Sequence, residues 1–306
     1  MIREFEAELV AFAEEVGPRD PVAVRGGATR WALGGPIEAG ARELRAPVGT
    51  VSYRPDEMTV EVRAGTRVSD LHDELEQAGQ RTALPVRPGG TVGGALAVGE
   101  SAVERLGRGQ TRDVLLQAVF VAADGGLVTA GGPTVKNVSG FDLARLLVGS
   151  LGTLGLIAAV ILRTQPIPSR EQWLRADDAD PLAVLDAART AASILWNGTS
   201  TWVLLGGFEP DVDADLAALG SIGSFAPDSP PSLPPHRWSR TPTGARSVDP
   251  DDTGAFVAEI GVGVVHAEHP DRAPVTEPGI EALGSRVKSL FDPTGRLNPG
   301  RRPGRR

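Results

Sequence analysis

Three glycine-rich segments, at residues 26–27, 89–94 and 149–155, each lie beside an apolar run. Glycine lets successive backbone N–H groups turn into a concavity, and a row of such donors neutralises a diphosphate without any lysine. Lysine is scarce here: of 31 basic residues only Lys136 and Lys288 carry an ammonium. Taken singly, each segment reads equally well as a tight turn. Other phosphate and nucleophile signatures are missing. No G-x-G-x-x-G follows a strand, and neither G-x-x-x-x-G-K-[ST] nor G-x-S-x-G occurs. Nicotinamide Rossmann, P-loop and α/β-hydrolase readings lose their usual support. The histidines His72, His236, His266 and His269 show no metal-ligand spacing, and His269 runs straight into Pro270.

Composition narrows the classes further. A chain of 306 residues exceeds what one compact core usually holds, so two lobes or an inserted domain are expected. At 41% hydrophobic it is rich enough to fold, and its 38 glycines and 25 prolines call for many turns. The formal charge of −8 argues against a phosphate-backbone binder. The absence of cysteine excludes disulfides, thiolate zinc sites, a catalytic cysteine, an iron–sulfur cluster on this chain and a cysteinyl cofactor link. No apolar run approaches ~18 residues, the length of a spanning helix. The first residues are acidic and lack an apolar leader, so a cytoplasmic chain is expected.

Periodicity places the glycine segments between regular elements. Ile2, Phe5, Leu9, Phe12 and Val16 form one helical stripe that Gly17-Pro18 stops. Strands are expected at 22–24, 43–45, 51–53 and 59–63, then a helix with Val68, Leu71 and Leu75 on one face. The apolar run 114–122, the turn Asp124-Gly125-Gly126 and 127–129 predict a hairpin. A short helix at 143–148 leads to 156–162, apolar on both faces and expected as a buried central strand. After Pro166 and Pro168 the composition changes. There a helix is expected at 182–195, strands at 202–205 and 256–265, and a poorly ordered or lid-like stretch at 228–253. A last helix carries Ile280, Leu283, Val287 and Leu290, and the basic residues 301–306 are expected to be a solvated tail.

In sequence order, the chain carries Val24-Arg25-Gly26-Gly27-Ala28-Thr29-Arg30, Gly90-Thr91-Val92-Gly93-Gly94-Ala95-Leu96-Ala97 and Arg112-Asp113-Val114. Val135-Lys136-Asn137-Val138-Ser139-Gly140-Phe141-Asp142 then leads to Gly149-Ser150-Leu151-Gly152-Thr153-Leu154-Gly155, and Phe291-Asp292-Pro293-Thr294-Gly295-Arg296-Leu297-Asn298-Pro299-Gly300 closes the set. Together these resemble the FAD-binding domain of the vanillyl-alcohol-oxidase (PCMH) type, and within that family the small FAD-binding subunits of bacterial glycolate oxidases. The resemblance covers residues 20–166 and returns at 285–301. It implies an α+β fold of two small α/β subdomains with a reduced cap. Residues 1–168 would be the FAD-binding domain, 169–268 the reduced substrate or cap domain, and 269–306 a segment returning to the FAD domain.

On these positions the resemblance implies that Arg25, Gly26, Gly27, Ala28, Thr29 and Arg30 form the first pyrophosphate loop. Pro88, Gly89, Gly90, Thr91, Val92, Gly93 and Gly94 would form the second, with Ala97 behind it. Lys136, Asn137, Gly140, Asp142, Gly152, Thr153, Gly155 and Ile157 would line the channel from adenine to flavin, and Asn298 would return near the isoalloxazine. Each has a plainer reading too: Lys136 as the partner of an acid, Asp142 as the cap of the next helix, and Asn298 as the holder of its own turn. Phe141 stands where the family often has tyrosine, and Ser139 where a small apolar residue is common. With no histidine in 20–35 and no cysteine, the usual covalent anchors are missing at that loop, so dissociable FAD is expected.

A flavin accepting hydride from a 2-hydroxy acid needs a base for the hydroxyl proton and an arginine for the carboxylate. His266, at the end of an apolar strand, is the candidate base, and Arg87, ahead of the second loop, the candidate carboxylate clamp. Their plainer readings are a satisfied strand-end histidine and a solvated arginine. The small second lobe and the missing cluster ligands point to a subunit beside a larger flavoprotein and an iron–sulfur partner. Any attachment to the inner membrane would come through those partners. Two alternatives stay open: a stand-alone FAD oxidoreductase acting on another alcohol or sugar acid, and a catalytically silent structural subunit.

Overall fold

The computed structural model describes residues 5–133, 143–242, 244–271 and 278–303. It divides into two compact units. The first comprises residues 1–102, 110–167 and 276–306, and the second residues 103–109 and 168–275.

In the first unit the central strand Leu156–Arg163 is buried on both faces through Leu162, as its unbroken apolar run requires. Its neighbours are antiparallel: Thr59–Arg63 and then Thr50–Arg54 on one side, Leu115–Val121 and Leu127–Gly131 on the other. Leu71 and Leu75 of the helix Val68–Glu76 and Leu96 of the helix Val92–Val98 share one core with Val60, Val62 and Leu162. Leu9, Phe12 and Val16 of the helix Ala7–Val16 share another with Val119, Val121 and Leu156. A second, small parallel pair, Val22–Val24 with Arg42–Leu44, carries the first glycine segment on its end.

The second unit is a seven-stranded antiparallel sheet. Its order is Ala226–Pro227, Arg170–Asp177, Ser200–Gly207, Ala191–Trp196, Phe256–Glu259, Val264–Ala267 and His236–Ser239. The helices Pro181–Ala187 and Glu209–Leu219 bury Val184, Val212 and Leu219 in a core with Leu174, Ile194 and Leu205. Both units mix helix and antiparallel sheet, and the fold class is α+β.

Three expectations are corrected here. The helix expected over 182–195 ends at Ala187, and Ala191–Trp196 is a sheet strand. A short apolar run fits either state by periodicity. The break comes where the Thr190 N–H and hydroxyl both donate to buried Asp215 at 2.6 Å. The strand expected over 256–265 is a hairpin, turned at Gly261 and Gly263 with φ of 77° and 83°. The proline-rich stretch also contributes structure: His236–Ser239 pairs with Val264–Ala267, and the buried Trp238 donates its indole N–H to the His269 carbonyl at 3.1 Å.

The last helix, Pro278–Phe291, packs Val287 and Phe291 on the first core, while Ile280, Leu283 and Leu290 stay exposed. Beyond it the chain is fastened by charge. The buried Arg296 guanidinium donates to four carbonyls: Val16 at 2.8 Å, Gly17 at 2.7 Å, Asp20 at 2.9 Å and Ala123 at 3.1 Å. The Asp292 carboxylate accepts the N–H groups of Arg296 at 3.1 Å and Leu297 at 2.8 Å, together with the Lys288 ammonium. Lys288 also reaches the Thr153 carbonyl at 2.8 Å. Among the described residues no helix is long and apolar enough to cross a membrane.

Burial alone would raise the Asp292 carboxyl, but Lys288 and the two backbone N–H groups hold it below the usual carboxylate range. A carboxyl depressed on folding adds stability above its unfolded pKa of about 3.9, and loses it as pH falls through the folded value. Urea unfolding of Asp292→Asn is expected to show a loss of about 1–3 kcal/mol at neutral pH. The variant's acid limb below about pH 4 should be flatter than the wild type's.

Candidate functional site

All three glycine segments come together in the first unit. The strand Val22–Val24 ends where the Arg25 N–H donates to the Leu44 carbonyl at 2.9 Å, and the chain then turns through Gly26-Gly27. Arg45 holds this loop by donating to the Gly26 carbonyl at 2.6 Å, and Arg25 pairs with Glu43 at 3.1 Å. The second segment leads into the helix Val92–Val98. It is tied to its own unit through Val68 N–H to Gly90 O and Val92 N–H to Thr66 O, both 2.9 Å. The third is pinned to that helix by Leu151 N–H to Ala97 O at 2.8 Å and Gly149 N–H to Leu96 O at 3.0 Å.

The first two loops touch backbone to backbone. A Cβ on Gly27 would overlap the Gly89 carbonyl, and one on Gly26 would overlap the Thr91 hydroxyl. One on Gly152 would strike the Asn298 amide, so the third loop meets the returning Asn-Pro-Gly motif. Asn298 is held there by its N–H to the Val22 carbonyl at 2.8 Å. Ala28, Leu151 and Asn298 adopt left-handed φ of 56°, 52° and 44°, and all three face the same groove. Left-handed backbone at non-glycine residues costs free energy and concentrates where a binding surface demands it.

The groove has two contiguous cavities of about 100 and 460 Å³ that share Val24, Gly26, Gly27, Thr91, Gly94, Ala97, Leu151 and Asn298 as a common wall. Arg25, Arg45, Arg67, Gly89, Gly93, Gly152, Gly155 and Ile157 line the larger. Ala28, Thr29, Arg30, Trp31, Leu33, Arg87, Gly90, Glu100 and Arg301 line the smaller. Two guanidiniums stack on Trp31, Arg25 at 5.3 Å and Arg301 at 4.7 Å from the ring centre.

The donors differ between the loops. Gly90, Val92, Gly93 and Gly94 give their N–H groups to Arg87 O, Thr66 O, Ala64 O and the Thr91 hydroxyl. The second loop therefore mostly holds itself. Among the described residues, none of the N–H groups of 26–30 donates to a backbone acceptor, leaving a row of open donors along the groove. Such a row, with guanidiniums on either side and no carbon in the way, fits a diphosphate.

Most expected site residues line the groove; some do not. Val92 is fully buried in the core, Thr153 is turned inward with its hydroxyl on the Ser150 carbonyl at 2.8 Å, and Pro88 lines neither cavity. Lys136, Asn137, Gly140 and Asp142 lie outside the described residues. His266 belongs to the second unit. It is buried, with Nε2 2.7 Å from Glu259. Arg87 does line the groove, half-buried and paired with buried Glu100 at 3.0 Å. Burial, and then the neighbouring Arg30, lower its pKa, with Glu100 opposing them.

Arg301 corrects the tail expectation: it docks on Trp31 and donates to the Leu33 carbonyl and, at 2.6 Å, the Gly35 carbonyl. Glu100, Trp31 and Arg301 were not expected in the site. The only sequence signal for Arg301 was its place just past Asn-Pro-Gly, and for Glu100 and Trp31 there was none.

Residues 6–131 match the family model described as an FAD binding domain. The chain is 29% identical over 234 residues to glycolate oxidase subunit GlcE of Escherichia coli (strain K12), covering 72% of this chain and 66% of that one. It is 35% identical over 150 residues to a D-lactate dehydrogenase of Archaeoglobus fulgidus, covering 48% and 33%. Glycolate oxidase subunit GlcD of Bacillus subtilis is 31% identical over 164 residues, covering 52% and 34%. The chain thus spans just under two thirds of the first relative and about a third of the other two. A solved alkyldihydroxyacetonephosphate synthase shares the fold at a TM-score of 0.70 and 12% identity, over 96% of this chain and 74% of that one.

The touching loops give a direct test. Gly27→Ala is expected to weaken FAD binding by about a hundredfold or more in a fluorescence titration. Gly284→Ala, in open space on the last helix, should leave it unchanged.

Proposed function

We propose that the chain is a PCMH-type FAD-binding protein and binds FAD non-covalently along this groove, a reading supported by the match of residues 6–131 to an FAD binding domain. We further propose that it serves as the FAD-binding subunit of a complex oxidising a 2-hydroxy acid of the glycolate class. The observation that carries the reading is the row of open backbone donors at 26–30, on a loop packed backbone to backbone against Gly89. The diphosphate would lie on those donors, with Arg25 and Arg30 at hand to balance its charge. Gly152, Gly155, Ile157 and Asn298 would bound the rest of the dinucleotide. Lys136, Asn137, Gly140 and Asp142 are assigned to the same channel on the family resemblance alone. When bound, FAD supplies a two-electron hydride acceptor.

This chain's residues must then hold the substrate and take the hydroxyl proton. Among the described groove-lining residues there is no histidine or lysine, and Glu100 is the only carboxylate. His266 is the candidate base on this chain, its ring oriented through Nε2 by Glu259, which leaves Nδ1 for the proton. The same scarcity favours a second reading, a catalytically silent structural subunit that stabilises its partners. The absence of cysteine requires that any iron–sulfur cluster sit on another chain. A cytoplasmic location follows from the family reading, with membrane attachment through partners.

Acid precipitation should release all the yellow colour from the purified protein; colour left on the pellet would rule out dissociable FAD. The chain alone should give little dye-linked turnover with glycolate or lactate, and adding the larger flavoprotein and iron–sulfur subunits should restore it. Robust turnover by the single chain would overturn the subunit reading. An unchanged rate of flavin reduction in His266→Ala would remove His266 from the mechanism.

A further inference from the structure

Open donors are useful to an anion only if their peptide planes are held, and one plane of the first loop has no local support. Gly26 and Gly27 flank a single peptide group, whose carbonyl belongs to Gly26 and whose N–H belongs to Gly27. A trans peptide carries these two on opposite sides, and no peptide bond among the described residues is cis. With glycine at both ends the plane turns over at little cost, because glycine admits φ of either sign. One orientation offers the groove an N–H and the other a carbonyl oxygen. The first attracts a diphosphate and the second repels it.

The contacts with Gly89 and Thr91 fix where the two α-carbons lie, not which way the peptide between them faces. Further along, the loop holds itself: the Ala28 carbonyl accepts the Trp31 N–H at 3.2 Å, and the Arg30 carbonyl the Leu33 N–H at 3.1 Å. The Gly26 carbonyl is held from outside the loop, by Arg45 Nη1 at 2.6 Å. Among the described residues no backbone N–H shares that carbonyl. Arg45 is available because the neighbouring acid is occupied. Glu43, two residues earlier on the strand Arg42–Leu44, pairs with Arg25 at 3.1 Å, and among the described residues Arg45 has no carboxylate partner.

We propose that Arg45 is a positioning residue for the cofactor's diphosphate. By gripping the Gly26 carbonyl it locks the Gly26–Gly27 peptide with the Gly27 N–H toward the groove. It acts on the anion through the peptide, while the balance of charge stays with Arg25 and Arg30. A hydrogen bond from a charged donor favours one orientation by about tenfold or more. The apparent affinity then scales with the fraction of molecules whose peptide faces the right way. The inference rests on the FAD reading of the groove for the identity of the anion, whereas the peptide lock belongs to the ligand-free chain.

The test is calorimetric titration of the full-length protein with FAD and with ADP, a diphosphate without the flavin, at low and at high salt. The amide nitrogen–proton correlation spectrum of the ligand-free protein is recorded beside it. Arg45→Met should weaken ADP and FAD alike by about tenfold. Arg45→Gln, which keeps a donor and loses the charge, should recover part of that loss. The loss should persist at high salt, because salt does not screen the orientation of a peptide as it screens exposed charges. Without ligand, the Gly27 amide resonance should move in Arg45→Met and return toward its wild-type position in Arg45→Gln. Unchanged ADP affinity in Arg45→Met overturns the proposal, as does an unmoved Gly27 resonance. A loss that fades at high salt, or that Arg45→Gln does not recover, also overturns it and assigns the guanidinium to the phosphates directly. Failure of the wild type to bind either nucleotide would sink the cofactor reading instead, and the Gly27 resonance would still decide the lock.

Discussion

The site depends on one steric fact: two backbone segments, at Gly27 and Gly89, lie so close that no side-chain carbon fits between them. Backbone can approach backbone this closely only through glycine. The closeness creates a narrow groove whose floor is peptide rather than side chain. Everything else in the first unit serves that approach. The small parallel pair aims the first loop and the antiparallel sheet anchors the second. The third loop is stitched to the helix between them.

The electrostatics follow from the same geometry. An acidic chain at −8 overall places arginine around this groove, at 25, 30, 45, 67, 87 and 301. Arginine suits the setting because its planar fork can stack on Trp31 at 4.7 Å while donating sideways to carbonyls. Where two guanidiniums meet, a single buried carboxylate reconciles them. Charge is thus concentrated locally on a molecule whose wider field has the opposite sign.

Much of the first unit was legible because its signals are local. The unbroken apolar run at 156–162, the helical spacing of Val68, Leu71 and Leu75, and the turn at Asp124-Gly125-Gly126 each dictate one conformation without help from distant residues. The glycine loops were legible for the same reason, although the second supplies closeness rather than open donors. The second unit was harder. Residues 191–196 are apolar in a way that suits helix or strand, and neighbouring strands decide it. The His236–Ser239 strand was hidden among prolines because an edge strand needs only one paired side. Charged residues gave least away. Nothing local distinguishes buried Glu100 from a surface acid, or Glu259, seven residues before His266, as its partner.

Arg296 ties the chain near residue 296 to carbonyls near residues 16–20, and Arg301 lies 266 residues beyond the Gly35 carbonyl it holds. During translation the two glycine loops emerge early, yet the wall formed by Asn298 and Arg301 leaves the ribosome long afterwards. The cofactor channel is therefore open on one side throughout most of synthesis. That side of the cleft is therefore completed only when residues 298 and 301 have joined the loops that were made first.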